Sequence, residues 1–323
     1  MRPVTRWPHR PGHPERSRTG PARLGREGQP PVSSLDALSP RNPRLSEVRR
    51  LLNSPSARRE HRRFVVEGPR LLAEALAASW QVIEVFVEDP AAWPAATLVR
   101  AGTLDRLGDA VTSQGVLAVV AAPALGLSEA SPQGSLPTAA TTATVPRTVL
   151  VLVDVADPGN AGTILRTAAA AGVAAVIFAG HSVDPLSPKV VRASAGSLFR
   201  VPVAVAPDLE DVFSWAHRSG LAVWATVPDH HANSRDLYAT DLDGAVALLL
   251  GSEAHGLNPA VLARVGPRMV AVPTVGGVES LNVAMAATVV AFELFRRQRV
   301  TAGPGPNRLD APMGAGQASG HDR

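Results

Sequence analysis

Polar side chains that can donate and accept hydrogen bonds stand among apolar residues at three separated points of the sequence. Asn160 and Arg166 lie in "VADPGNAGTILRTAAAAG", Glu253 lies in "LLLGSEAHGL", and Ser280 and Asn282 lie in "VPTVGGVESLNVAMA". Amide, hydroxyl, carboxylate and guanidinium groups are the ones that orient a substrate hydroxyl or exchange a proton with it. We therefore predict that these five residues line one cleft.

Most of these residues also have a purely structural interpretation. Asn160 and Ser280 each stand where a helix is predicted to begin, so either could cap its helix. Glu253 falls in a glycine-bounded turn, where it could orient a hydroxyl or cationic group or pair with Arg166. Arg166 is the one charged residue in a helix of small and apolar residues, so it must extend to solvent, form an ion pair or face a cleft. Asn282 is poorly explained by capping, which favours the cleft.

Residues 148–300 alternate between nearly continuous apolar stretches and helical patterns. Strands are predicted at "TVLVLVD", "VAAVIFAG", "RVPVAVA", "LAVWATV", "GAVALLLG" and "RMVAVP", and the last helix is predicted over 280–297. Such alternation indicates an α/β fold with a parallel sheet covered by helices on both faces. Ligands of these sheets bind beyond the carboxyl ends of the strands, and each of the three polar stretches follows a predicted strand.

A smaller α/β domain is predicted over 43–123. Helices are expected at "RLSEVRRLL", "PRLLAEALAAS" and "TLDRLGDA", and strands at "RRFVVEG", "QVIEVFVED" and "GVLAVVAA". The remaining segments are rich in Pro, Gly, Ser or Arg and poor in large apolar residues. We expect a disordered basic arm over 1–42, a linker over 124–147 and a disordered tail over 301–323.

Composition excludes several classes of protein. The sequence has no cysteine, which excludes disulfides, thiolate metal ligands and cysteine nucleophiles. The histidines show no metal-ligand spacing, so no metal is predicted. No apolar run reaches the roughly 18 residues of a membrane span, and the Arg- and Pro-rich start lacks the apolar core of a secretory signal. We expect a cytoplasmic protein without a membrane partner, and an organellar transit peptide stays open as the alternative.

Arginine supplies nearly all of the positive charge. The net charge is +4, and Lys189 is the only lysine. The planar guanidinium fits phosphate oxygens, which favours a nucleic acid or another phosphorylated partner. A GC-rich genome that encodes Arg in place of Lys explains the same composition. The stretch after "TVLVLVD" lacks the G-x-G-x-x-G spacing, which disfavours an enzyme with an NAD- or ATP-type cofactor.

Three segments, "NAGTILRTAAAAG", "LLLGSEAHGL" and "VPTVGGVESLNVAMA", resemble in this order the motifs of the SpoU/TrmH family. That family comprises S-adenosylmethionine-dependent RNA ribose 2′-O-methyltransferases of the SPOUT class. "SPKVVRASAGSLFRVPV" is similar to the segment between the first two motifs, and residues 44–122 resemble the family's RNA-binding domain with a ribosomal-protein L30-like fold. The "VPT" of the third motif departs from the usual Ile-Pro-Met or Leu-Pro-Met.

The resemblance implies a trefoil knot and a binding site for the methyl donor. The last segment of the sheet would thread a loop, and S-adenosylmethionine would sit in the knot. It would be held mostly by backbone groups of Thr226, Gly251, Val272 and Leu281. A sulfonium methyl donor is already electrophilic, so no metal is required. A homodimer is implied as well, formed partly by the last helix, with each active site sharing residues across the interface.

The resemblance also implies roles for the polar residues. The family counterpart of Arg166 acts on the ribose 2′-hydroxyl, as a base or in concert with an RNA phosphate. The other four polar residues would orient Arg166, the ribose and the methionine end of the cofactor; they are Asn160, Glu253, Ser280 and Asn282.

The small domain is expected to contact the RNA substrate. Phosphate contacts are predicted from Arg58, Arg59, Arg62 and Arg63, with a solvated charged turn as the alternative. The L30-like domain favours ribosomal RNA, most specifically 23S ribosomal RNA, because family members acting on it often carry such a domain. Transfer RNA stays open as a substrate, as does a non-catalytic RNA-binding protein.

Overall fold

The computed structural model of the chain describes residues 37–107, 114–130, 148–242, 244–275 and 280–301. Most of the predicted arm, linker and tail lies outside these residues. The described parts of the arm and linker belong to the fold. Leu38 forms an isolated β-bridge with Val99, and Leu127–Ala130 form a 3-10 turn in which Ala130 is fully buried.

The amino-terminal part of the fold is built on a four-stranded sheet. Its elements are α1 (Pro43–Asn53), α2 (Pro55–His61), β1 (Arg63–Glu67), α3 (Pro69–Ala77), β2 (Val82–Val87), β3 (Thr97–Leu98) and β4 (Val116–Ala121). The strand order is β1-β4-β2-β3. Strand β4 pairs antiparallel with β1 and β2, and β3 pairs parallel with β2. The antiparallel pairs join strands that are distant in the sequence, because β4 returns to lie between β1 and β2.

Two local predictions for this part were inaccurate. Helix α2 was not predicted, and the helix expected at "TLDRLGDA" is wrong in its described part, since residues 101–107 form turns. Leu104 and Leu107 are both buried. Their three-residue spacing therefore has the periodicity of a helix, although it arises from two inward-facing turn positions.

The carboxyl-terminal part is built on a seven-stranded sheet. Its elements are β5 (Thr148–Val153), α4 (Pro158–Ala171), β6 (Ala175–Ala179), α5 (Pro188–Ala193), β7 (Val203–Ala206), α6 (Leu209–Arg218), β8 (Ala222–Thr226), β9 (Arg235–Asp236), β10 (Val246–Leu250), α7 (Pro259–Val265), β11 (Met269–Ala271) and α8 (Val283–Thr301).

Every strand pair in this sheet is parallel. The order is β7-β6-β5-β10-β8-β11-β9. Strands β5, β6 and β10 are buried at every position, as expected for parallel strands with helices on both faces. The α/β fold with a covered parallel sheet is therefore confirmed. The last helix begins at Val283 rather than at 280.

Helix α4 is fixed by a cap at each end and by a close approach to α5 at one glycine. The Asp157 side chain accepts a hydrogen bond from the Asn160 backbone N–H and caps the helix, and Gly172 ends it with a φ of 66°. A Cβ added to Gly162 would lie 2.3 Å from the Cβ of Ala193. Helices α4 and α5 can therefore approach this closely only because residue 162 has no side chain.

The two sheets belong to one compact unit, and specific contacts join them. Phe64, Trp80 and Phe199 form an aromatic cluster in which the Trp80 Nε1–H donates to the Phe199 carbonyl at 3.2 Å. Three ion pairs also connect the parts: Arg58–Asp184, Arg192–Glu67 and Arg200–Glu74.

The far end of α8 is held by a buried carboxylate. Glu293 accepts hydrogen bonds from Arg296 and Arg297, and Arg297 also donates to the carbonyls of Leu237 and Thr240 at 2.6 and 2.5 Å. The bonds from Arg296 lower the pKa of Glu293 to about 2 against the opposing effect of burial, with Arg297 adding to the decrease. Glu293 therefore fixes Arg297, which ties α8 to the loop after β9.

No described helix has the length and hydropathy that a bilayer crossing requires.

Replacing Glu293 by Gln should destabilise the fold in a pH-dependent way. At pH 7 the variant loses charge-assisted hydrogen bonds, which should lower the free energy of unfolding by about 2 kcal/mol. Because the folded pKa is about 2 and the ordinary value is 4.5, the carboxylate's contribution is complete above pH 4.5 and is lost as the pH falls toward 2. Urea unfolding between pH 7 and pH 3 measures the difference from the wild type.

The control for loss of one negative charge is Glu60→Gln, since Glu60 is exposed on α2. It should leave the free energy of unfolding within about 0.5 kcal/mol of the wild type. A Glu293→Gln effect that stays constant from pH 7 to pH 3 would contradict this account.

Candidate active site

Three loops meet at the carboxyl edge of the second sheet. One follows β5, one follows β10, and one runs from β11 to the start of α8. Strands β5 and β10 are direct neighbours, so their loops leave the sheet side by side. The loop after β5 leads into the first turn of α4, which carries Asn160, and the other two loops carry Glu253, Ser280 and Asn282. Arg166 lies in the second half of α4.

A chain of hydrogen bonds links Asn160, in the first turn of α4, to one residue from each of the other two loops. The Asn160 Nδ2–H donates to Glu253 Oε1 at 2.9 Å, and the Asn282 Nδ2–H donates to Asn160 Oδ1 at 3.0 Å. Glu253 also accepts from the backbone N–H groups of Ala156 and Asp157 at 3.4 and 3.3 Å. We call Glu253, Asn160 and Asn282 the polar network. Each bond fixes which way an amide side chain faces.

Glu253 is ionised at neutral pH. Partial burial raises its pKa, but the hydrogen bonds from Asn160 and from the loop backbone outweigh burial, and the pKa is lowered overall. A carboxylate that already accepts several hydrogen bonds is a weak base. Its geometry suits holding Asn160 in place more than removing a proton from a substrate.

Neither of the two caps considered as alternatives from the sequence is present, and the expectation that Asn282 is poorly explained by capping was wrong. Asp157, not the Asn160 side chain, caps α4, which leaves the Asn160 amide for Glu253. Asn282, not Ser280, caps α8, since its Oδ1 accepts from the N–H groups of residues 284 and 285 at 2.9 and 3.3 Å. Asn282 therefore both caps α8 and donates to Asn160.

Arg166 lies apart from the polar network. Its side chain is exposed, and within the described part of the chain it forms no hydrogen bond or ion pair. The ion pair between Arg166 and Glu253 that the sequence suggested is therefore not among the contacts of the described residues. The neighbouring Thr167 hydroxyl bonds to Thr288 of α8 at 2.7 Å, which places Arg166 beside the contact between α4 and α8.

A cavity of about 630 Å³ opens beside the polar network. All four predicted cofactor residues, Thr226, Gly251, Val272 and Leu281, line it. Glu253, Ser280 and Asn282 also contribute to the wall, whereas Asn160 and Arg166 do not. The cavity has the size of a small-molecule site.

The loop after β8 was missed as part of this site. Asp229 lines the cavity and accepts a hydrogen bond from the Thr274 N–H at 3.1 Å, which joins the loops after β8 and β11. His230, His231 and His255 also line it. Their position just after strand ends is the signal that could have identified them.

The charge of the cavity favours a cation over a pyrophosphate. Its described lining includes the carboxylates of Asp229 and Glu253 and contains neither lysine nor arginine.

Gly276, Gly277 and Glu279 of the third motif lie outside the described residues. Among the described residues, no group of three His, Cys, Asp or Glu side chains could hold a metal ion.

Gly251 makes the loop after β10 compact. A Cβ at this position would lie 2.3 Å from the carbonyl carbon of Gly256, and the next residue, Ser252, forms an isolated bridge with Gly256. The absence of a side chain at residue 251 therefore lets the loop fold back and present Glu253.

The structure corrects one of the four predicted RNA contacts. Arg58 is only 4% exposed, and its guanidinium bonds to Asp184, Leu51 and Leu52, so it cannot reach a phosphate. Arg59 and Arg62 are exposed.

Arg63, the fourth predicted contact, is half-buried and pairs with Glu47 at 2.8 Å.

Comparison with known proteins identifies two family models. The SpoU rRNA Methylase family matches residues 147–292, and the MRM3-like substrate binding domain matches residues 42–121. An uncharacterized tRNA/rRNA methyltransferase of Synechocystis is 34% identical over 83% of this chain and 96% of its own length. The 23S rRNA (guanosine(2553)-2′-O)-methyltransferase RlmP of Bacillus subtilis is 28% identical over 79% of this chain and 97% of its own length.

Among solved structures, the AdoMet-bound rRNA methyltransferase from Sinorhizobium meliloti superposes with a TM-score of 0.67 and 31% sequence identity. It covers 79% of this chain and 95% of its own.

Asn282→Ala should lower the free energy of unfolding by about 1 kcal/mol, because it removes the cap of α8. Asn282→Asp should restore most of that loss, since a carboxylate also caps a helix, but it should not restore the bond to Asn160. Urea unfolding at pH 7 compares the two variants. The matched control is Ser280→Ala, which should cost less than about 0.5 kcal/mol. The reverse order, with Ser280→Ala more costly than Asn282→Ala, would show that Ser280 is the cap.

Proposed function

Because this chain belongs to the SpoU rRNA methylase family, we propose that it methylates a ribose 2′-hydroxyl of 23S ribosomal RNA. Members of the family to which it is similar are named as RNA 2′-O-methyltransferases, and the chain is an enzyme of this type that uses S-adenosylmethionine. One observation carries the proposal. The three motif loops form a single polar network at the edge of a cavity lined by all four predicted cofactor residues.

The cavity fits S-adenosylmethionine. When bound, this cofactor supplies an electrophilic methyl group on a positively charged sulfonium. The carboxylates of Asp229 and Glu253 give the described wall a negative charge that suits such a cation. The same charge is unfavourable for the pyrophosphate of NAD or the triphosphate of ATP. We propose that Thr226, Gly251 and Leu281 contribute backbone contacts to the cofactor.

Val272 completes the proposed cofactor set, since it lines the same cavity.

The residues of the polar network would orient the acceptor ribose. Glu253, ionised at neutral pH, holds the Asn160 amide, and Asn282 holds it from the other side. The acceptor is thereby presented in one geometry, and such positioning can contribute roughly 7–11 kcal/mol to catalysis. Ser280 lies on the cavity wall and offers a hydroxyl to the substrate or the cofactor.

Arg166 would act on the ribose 2′-hydroxyl of the RNA. Its guanidinium is exposed and unpaired among the described residues, so it can bind an RNA phosphate or the hydroxyl. A guanidinium group has N–H donors and no acceptor, so Arg166 alone is poorly suited to remove the proton. We propose that it acts with an RNA phosphate, whose oxygens accept from the guanidinium fork.

The position of Arg166 outside the cavity favours a site completed by a second copy of the chain. Helix α8 exposes Met285 and Phe292, at 63% and 42%, two turns apart on one face. Helix α4 packs against α8 through Thr167 and Thr288. We propose a homodimer through this face of α8, which would bring Arg166 toward the partner's cavity.

Replacing Phe292 by Glu should weaken this dimer at least about tenfold, because a charge would be buried in the interface. Sedimentation equilibrium over micromolar concentrations measures the dissociation constant. The control is Ile83→Glu, which changes a side chain with a similar exposure of 40% on the first sheet. A wild-type chain that is monomeric at these concentrations would overturn the dimer.

The first sheet and its helices would bind the RNA. The match to a substrate binding domain over 42–121 supports this role, and Arg59 and Arg62 are exposed there. Arg63 could contribute by exchanging its pairing with Glu47 for a phosphate. We also propose that this part has the L30-like fold and that the second sheet contains the trefoil knot. Pulling the chain from both ends would reveal a knot as an extended length shorter than the residue count allows.

The activity is tested by transfer of tritium from labelled S-adenosylmethionine to ribosomal RNA and to transfer RNA, followed by mapping of 2′-O-methylation. We expect one modified nucleotide in 23S ribosomal RNA. Arg166→Ala should reduce transfer at least about a hundredfold, because positioned groups acting on the hydroxyl contribute roughly 10²–10⁴-fold. Arg166→Lys should restore little, since an ammonium lacks the planar fork.

The cofactor dissociation constant should change less than about twofold in both variants, because Arg166 is outside the cavity. An RNA with a 2′-deoxy target nucleotide should bind without accepting a methyl group. Near-normal transfer by Arg166→Ala would refute the role of Arg166. Modification of transfer RNA alone would change the substrate assignment and leave the reaction class intact.

A further inference from the structure

We propose that the ion pair of Arg58 and Asp184 is a positioning contact that couples the first sheet to the loop after β5, which leads into the helix that carries Asn160. The inference rests on the proposed function, since it gives this pair a part in RNA methylation. Arg58 lies in α2, on the first sheet's side, and Asp184 lies in the loop after β6, at the carboxyl edge of the second sheet.

Every nitrogen of the Arg58 guanidinium group has a partner. Nε and Nη2 lie 2.8 and 2.7 Å from Asp184 Oδ2, and Nη1 donates to the carbonyls of Leu51 and Leu52 at 2.6 and 3.1 Å. Those carbonyls lie at the end of α1. The guanidinium therefore connects two helices of the first part to one carboxylate of the second, with no freedom to rotate.

The loop that carries Asp184 is bonded to the loop after β5. The Val183 N–H donates to the Val155 carbonyl at 2.9 Å, and the Val155 N–H donates to Ser182 Oγ at 3.1 Å. The His181 N–H donates to Asp154 Oδ1 at 2.7 Å. The two loops are therefore paired over consecutive residues and should move together.

The loop after β5 leads directly into the polar network. Its next two backbone N–H groups, of Ala156 and Asp157, donate to Glu253, and Asp157 caps the helix on which Asn160 stands. The path from Arg58 to Asn160 is thus continuous, and each hydrogen bond in it is no longer than 3.4 Å.

A buried ion pair is a poor means of merely joining two parts of a protein. Desolvation offsets much of its attraction, and packed apolar groups would join the parts as well or better. The aromatic cluster of Phe64, Trp80 and Phe199 already provides such packing. The ion pair instead contributes a defined geometry, because its bonds fix where Asp184 and its loop lie relative to the first sheet.

A second, more exposed ion pair between the same two parts provides a control at the other edge of the sheet. Arg200 pairs with Glu74 of α3, but Arg200 precedes β7 and so lies at the amino edge of the sheet, away from the polar network. If ion pairs only held the parts together, loss of either should leave residues 154–160 no more disturbed than the rest of the fold. If the Arg58–Asp184 pair positions the site, only its loss should disturb residues 154–160.

The test compares Asp184→Asn with Glu74→Gln. An asparagine keeps the Oδ1 that accepts from the Leu186 N–H at 2.9 Å, so the turn is retained while the charged contact is weakened. Hydrogen exchange of the full-length protein is measured for peptides covering 154–160 and for β10 as the internal reference. We expect exchange over 154–160 to accelerate at least about fivefold in Asp184→Asn alone, with β10 unchanged.

The kinetic readout uses the same variants with ribosomal RNA. Asp184→Asn should lower kcat about fivefold or more, with the KM for RNA and the cofactor dissociation constant within about twofold of the wild type. Arg58→Lys keeps the buried cation and is a second variant if Asp184→Asn folds poorly; it should show the same pattern to a smaller degree. Glu74→Gln should match the wild type.

Equal effects of Asp184→Asn and Glu74→Gln, or wild-type exchange over 154–160 in Asp184→Asn, would overturn the coupling. If the wild type methylates no RNA, the proposed function fails, and the exchange measurement still decides whether the pair controls the loop.

Discussion

The candidate site depends on the carboxylate of Glu253. It accepts hydrogen bonds from the Asn160 side chain and from two backbone N–H groups of the loop after β5. Burial opposes its ionisation, and these bonds overcome that opposition and lower its pKa. Asn160 in turn accepts from Asn282, which caps α8. One ionised group thereby fixes the relation between two neighbouring strands and the last helix.

The parallel sheet explains why such a network forms at this edge. Strands β5, β6 and β10 are apolar apart from Thr148 at the start of β5, so they offer almost no polar side chain inside the sheet. Polar groups are therefore concentrated where the strands end, and parallel pairing brings those ends to one edge. The loops there are held by short bonds, such as Asp229 to Thr274, which leaves a cavity between them.

The arginine content has an explanation that composition alone does not supply. Many described arginines pair with carboxylates inside this chain; these pairs include Arg44–Glu84, Arg58–Asp184, Arg63–Glu47, Arg192–Glu67, Arg200–Glu74 and Arg297–Glu293. The planar guanidinium that suits phosphate also suits carboxylate and carbonyl oxygens. Arg58 illustrates the difference, because its place in a basic cluster predicts RNA contact while its burial commits it to the interior. Exposed arginines such as Arg59, Arg62 and Arg166 remain the ones suited to RNA.

The sequence by itself determined six of the seven strands of the second sheet, all but the short β9, and most of the residues gathered near its carboxyl edge. Apolar runs and helical periodicity are local properties, and each polar stretch follows its strand directly, so both can be read without knowing any distant contact. Only the tertiary structure decided which of two nearby polar residues caps a helix and which arginine is buried. Asp157 caps α4 while Asn160 bonds to Glu253, 93 residues away, and Asn282 bonds to Asn160, 122 residues away. Arg58 bonds to Asp184, 126 residues away. The partners of capping residues and buried charges are set by proximity in space. That proximity is created only when the strands pair and the two sheets pack together.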